Sequence, residues 1–202
     1  MFTTLLIALA FLLPTLSAPQ KPQDNKYFLR VFDGSQPWHK HPITLLPTNN
    51  PGIQNLSTVP QTPPLYFTLT TIPGSVNRVA LEVLHANNND ESDKHWLTAI
   101  QASSSLDAKI AIMPGADPSN AAANCPPEEK CVADGWTWAM QRRGGNGTHQ
   151  LMYGGTPGTF TAVREEGVAG WDIYWERSAG MGRAIRIQAV YAGDGAIVKA
   201  EW

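Results

Sequence analysis

The chain has 202 residues, with 15 Lys and Arg against 17 Asp and Glu, a formal net charge of −2 and only 16% charged residues. A balance this even excludes the basic face that nucleic acid or an anionic membrane demands, so neither is expected as a partner. The length suits one domain with a sizeable core.

The first element is a leader. Leu5–Leu13 is an apolar run of about nine residues, followed by Pro14 and the small residues Thr15 and Ser17. That length fits the apolar part of a secretory signal and is too short to span a bilayer. We therefore expect a signal peptide over 1–17, a loose mature N-terminus over 18–25, and a single β-rich domain over 26–202. The expected address is outside the cell. Cys125 and Cys131 are the only cysteines and are expected to pair, as an oxidising compartment favours. Asn55-Leu56-Ser57 and Asn146-Gly147-Thr148 are sequons, so Asn55 and Asn146 are expected glycan acceptors on surface loops.

Lys26–Asp33 reads as the first strand, ended by Gly34. His41–Leu46 is a short second strand in which Pro42 favours a start or an edge. His39 and His41, two apart on a strand, face the same way, but Pro42 follows and no third metal ligand is evident, so packing is the favoured reading and no metal is assigned. The Pro- and Asn-rich stretch 47–64 reads as a long surface loop. Leu65–Thr70 and Asn77–Leu84 are strands, the second placing Val79, Leu81 and Val83 on one face. A polar loop over 87–93 precedes strands at His95–Ile100 and Lys109–Met113, with a short helix over 97–106 as the competing reading. A second long irregular region, 114–131, carries the cysteine pair.

Gly135–Ala192 then concentrates Trp136, Trp138, Trp171 and Trp175, four of the seven tryptophans. Gly135–Gln141 and Gln150–Tyr153 flank Asn146-Gly147, a strong hairpin signal because both residues accept positive φ. Thr159–Arg164, Gly170–Glu176, Ala184–Tyr191 and Ile197–Trp202 complete about a dozen short strands. Nothing alternates with them at helical period. The fold class is therefore mainly β, a single antiparallel sandwich or small barrel with a β-trefoil as the alternative and little helix.

Chemistry is sparse. Gly-x-Ser-x-Gly is missing, and no cofactor motif is present, so no catalytic residue, metal or cofactor is assigned. Asp172 and Glu176 lie on the opposite strand face to Trp171, Ile173 and Trp175. If the tryptophan face is core, both carboxylates are solvated. If Asp172, Tyr174 and Glu176 line a groove, they form a sugar-binding face or the carboxylate pair of a small glycoside hydrolase. Glu165 and Glu166 before Gly167 read as a turn, and Arg142-Arg143 as a hairpin tip. The tryptophans are read as core, with an exposed member as a platform for sugar.

The late segments run in a fixed order: glycine, short strand, glycine turn, aromatic strand, β-branched strand. They are Gln150–Gly155, Gly158–Val163, Gly170–Glu176 and Ala184–Tyr191. With an opening strand at Lys26–Val31 behind a leader, this order resembles small secreted fungal proteins of the PhiA-like cell-wall-associated family. The resemblance implies a fungal, extracellular, β-rich protein and transfers no catalytic residue. The leading expectation is a non-enzymatic secreted protein, associated with the cell wall or facing a host. Its partner is then a wall polysaccharide or a host protein. The alternatives are a carbohydrate-binding module using exposed aromatics and a glycoside hydrolase using Asp172 and Glu176.

Overall fold

Among the described residues, alternating apolar and polar positions produce fourteen strands joined by hydrogen bonds into one sheet that curls back on itself. The structure is a computed structural model and describes residues 26–57, 60–84, 94–141, 148–154, 158–164, 170–176 and 182–192. In chain order the strands are β1 Lys26–Val31, β2 Thr44–Leu45, β3 Pro51–Gln54, β4 Tyr66–Thr71, β5 Arg78–Leu84, β6 His95–Ala102 and β7 Ala108–Pro114. After helix α1, Pro118–Ala123, come β8 Glu129–Val132, β9 Trp136–Gln141, β10 Thr148–Tyr153, β11 Thr159–Val163, β12 Gly170–Glu176, β13 Arg183–Ile185 and β14 Ile187–Tyr191.

Six of these close an antiparallel barrel, in the order β5-β4-β1-β14-β10-β9 and back to β5. The ring closes because β5 has two partners along one edge. Its first residues pair with β9, Val79 opposite Trp136, and its last with β6, Glu82 opposite Trp96. From that fork the sheet continues outside the barrel as β6-β7-β12-β11-β13, with β8 added to β6 and the β2–β3 pair to β12. The barrel form is thus selected from the expected architectures.

Register explains the core. Leu29 opposes Ala189, Val31 opposes Ile187, Phe67 opposes Val83, Leu69 opposes Leu81 and Leu151 opposes Ile187, so period-2 alternation sends one row of each strand inward. The same face of the outer strands carries Leu97, Ile110, Phe160, Ile173 and Trp175, all buried in one cluster with the barrel residues. Trp136 joins the two parts. It is fully buried, donates its indole N–H to Leu97 O at 2.8 Å, and lies near parallel to Phe160 with ring centroids 6.5 Å apart.

Several expectations are corrected. Residues 97–106 are not a helix, since His95–Ala102 is a strand paired along its length with β7. The stretch 47–64 is not all loop, because Pro51, Gly52 and Ile53 are buried in β3. Region 114–131 contains α1, started by Asp117, whose side chain accepts from Asn120 N, and by Pro118 in the first turn. In 41–46 only Thr44–Leu45 joins a ladder, with an isolated bridge from Pro42 to Arg30. His39 and His41 do not share a strand face, because Lys40 between them has φ 67° within a turn. The expected pairing of Cys125 with Cys131, by contrast, is present, with Cα atoms 5.6 Å apart. The leader, the polar loop at 87–93, Asn146, Glu165, Glu166, the strand at 197–202 and Trp202 lie outside the described residues.

Candidate functional site

Strand β12 decides where chemistry can sit. Its tryptophan face points to the core as expected: Ile173 and Trp175 are buried, and Trp175 meets the rings of Phe160 and Tyr153 at 4.9 and 5.9 Å. Asp172, Tyr174 and Glu176 take the other face. That face is not the solvated one that a tryptophan core was expected to leave. Asp172 is 0% exposed and Glu176 is 2% exposed. The reason is that β12 is a central strand, flanked by β11 on one side and by β7 and β3 on the other. Alternation separates two faces but does not say that one of them is wet.

Both carboxylates are engaged. Lys109 Nζ stands 2.6 Å from Asp172 Oδ2 and 5.7 Å from the centre of the Tyr174 ring. Glu176 Oε2 accepts from Thr161 Oγ1 at 3.0 Å. Four residues of strand put the two Cα atoms about 13 Å apart. Asp172, Tyr174 and Glu176 therefore form a polar brace inside the sheet rather than an open groove.

A cleft does open at the end of β12 where the chain enters it. It has a volume of about 170 Å³ and is floored by Trp38 and Trp171, with Gln54, Asn55 and Arg164 on its walls and Pro37 and Leu56 at its rim. The two indoles lie 4.6 Å apart, centroid to centroid, at 52°. Trp38 is 4% exposed, whereas Trp171 is only half-buried. The Arg164 guanidinium carbon sits 5.9 Å from the Trp171 ring, within cation–π range. Among the described residues the Trp38 indole N–H meets no acceptor.

The cleft is built by the strand hidden in the Pro-rich stretch. β3 runs antiparallel to β12, with Ile53 opposite Trp171 and Gly52 opposite Asp172. Two glycines allow the approach: a Cβ on Gly52 would meet Trp171 O at 2.6 Å, and one on Gly170 would meet Ile53 O at 2.5 Å. The turn after β3 is pinned by Thr62 N donating to Gln54 Oε1 at 2.7 Å. On the other wall, Trp38 belongs to a turn anchored by His41 N donating to Trp38 O and by Arg183 donating to Gln36 Oε1 at 2.7 Å.

Of the residues singled out in the sequence, the structure brings Trp171 to a cleft and withdraws Asp172 and Glu176 from one. Sequence reasoning missed Gln54 and Arg164 and singled out no binding role for Trp38. A Trp38–Trp171 contact across 133 positions leaves no local signature. Chemically, a partly exposed flat ring beside amide and guanidinium donors suits the C–H face and hydroxyls of a sugar ring. The volume is below the roughly 300–1,000 Å³ of ordinary small-molecule pockets and holds one ring rather than a long chain. Among the described residues, no group of three His, Cys, Asp or Glu side chains is placed to hold a metal ion. Comparison of the chain with protein-family models, with curated proteins and with solved structures finds no match.

Proposed function

We propose that the protein is a secreted, non-enzymatic interaction module of the fungal wall or host-facing kind, and that it recognises saccharide through the Trp38–Trp171 cleft. The carrying observation is Trp171. It shares a strand face with the buried Ile173 and Trp175, yet it is only partly buried and lines the cleft with Arg164, Gln54 and Asn55. The apolar leader and the Cys125–Cys131 bridge support an extracellular address. The burial and engagement of Asp172 and Glu176 weigh against the hydrolase alternative.

The test is depletion of the protein, purified free of N-glycans, from solution by insoluble chitin, β-glucan and cellulose in parallel. We expect retention on at least one, reduced about tenfold or more by Trp171→Ala in a variant shown to be folded. Loss of one aromatic contact and its buried area justifies that size. Retention on none of the three defeats the saccharide reading.

A further inference from the structure

We propose that Asn55 carries an N-linked glycan whose first sugar lies over the Trp171 cleft and keeps other saccharide out of it. The regulatory half of this rests on the saccharide reading of the cleft; the glycan and its placement do not. Asn55-Leu56-Ser57 is a sequon, and it sits in the turn that follows β3. Leu56 is 41% exposed and Ser57 is exposed, so a transferase can reach the turn. Asn55 Oδ1 accepts from Ser57 N at 3.2 Å and from Ser57 Oγ at 3.0 Å. Its Nδ2 donates no hydrogen bond among the described residues and is left as the nucleophile.

The transfer is balanced with a lipid-pyrophosphate-linked oligosaccharide as donor. Nδ2 bonds to C1 of the reducing-end sugar, the C1–O bond breaks, the lipid pyrophosphate leaves with the electron pair, and one amide proton passes to a base of the transferase. The position of the acceptor then decides where the sugar goes. Ile53 is paired with Trp171 and Gln54 with Gly170, and Asn55 is the first residue after the strand. Asn55 is itself a wall of the cleft. A first sugar on Asn55 therefore starts from the lining of the cleft that Trp171 and Arg164 also line.

The protein is to be secreted from a glycosylating host with Asn146→Gln in place, so that any N-glycan reports on Asn55. Intact mass should show one N-glycan, removed by peptide N-glycosidase and missing in both Asn55→Gln and Ser57→Ala; an unmodified mass overturns the proposal. Acrylamide quenching of tryptophan fluorescence, with Trp171→Phe giving the Trp171 share by difference, should be at least twofold weaker in the glycosylated form. Equal quenching overturns the placement. On the polysaccharide that retains the protein, Ser57→Ala, which loses the glycan and keeps the Asn55 amide, should bind about tenfold better than the glycosylated form. If quenching differs while neither form binds any polysaccharide, the glycan placement stands and the saccharide reading falls.

Discussion

At the scale of single residues, Lys109 and Asp172 are the most exacting pair. Asp172 is fully buried and its 2.6 Å partner is partly exposed, with 29% of the Lys109 side chain reaching water. Removing the cation while keeping the carboxylate leaves an uncompensated buried charge. Lys109→Met should cost on the order of 3 kcal/mol in urea unfolding, whereas Lys109→Met with Asp172→Leu should recover much of that. Titration acts through histidine. Burial lowers the pKa of His149 and His41 below the usual 6.5. The unfolded chain then binds the extra protons, so the stability is complete above about pH 6.5 and is lost as pH falls towards the folded values. The urea midpoint should therefore drop between pH 7.5 and 5.5, and drop less in His149→Gln. The sequence showed which β12 side chains share a face, Asp172 and Glu176 included. It did not show that both faces are covered, because burial of a central strand depends on neighbours such as β3 and β7 from distant parts of the chain.

At the scale of elements, the junction of β3 with β12 controls the cleft. A methyl at Gly52 collides with the Trp171 carbonyl and with Leu46. Gly52→Ala should destabilise by about 1–3 kcal/mol through overpacking and should also weaken polysaccharide retention, since the Trp171 backbone is one of the two groups the methyl meets. A Gly34→Ala control, with open space around the position, should do neither. The strong local patterns were legible: β9 and β10 form the expected antiparallel pair, Trp136 opposite Tyr153 and Gln141 opposite Thr148, although six residues separate the strands where a two-residue Asn146-Gly147 turn would have set residue 145 opposite Thr148. β3 was not legible. Its four residues include Pro51 and Gly52, poor strand formers whose place is set by what they must fit against.

At the scale of the molecule, barrel and outer strands share one apolar cluster. A small apolar void of about 10 Å³ lies between Leu29, Leu151 and Ile187 of the barrel and Leu97, Ile110 and Ile173 of the outer strands, so no water layer divides them. Unfolding should thus be a single transition, with tryptophan fluorescence and far-ultraviolet circular dichroism superimposing. Two separated midpoints would show that the parts fold independently. Reducing Cys125–Cys131 should lower stability by about 2 kcal/mol without dividing that transition, because the bridge closes only a short loop beside β8. The β-rich class was readable from strand period alone. The barrel closure was not, since it depends on β5 dividing its edge between β9 and β6.

That closure has a consequence in time. β1 has β4 as its first neighbour, but its other edge waits for β14, with Tyr27 opposite Tyr191. At roughly 5–20 residues per second, a ribosome needs on the order of 10–30 s to make the chain between them. Throughout that interval the strand Lys26–Val31 presents an unpaired apolar edge. The nascent protein therefore calls for a chaperone or a delay in collapse until the last barrel strand emerges, and faster translation of this region offers no advantage in yield.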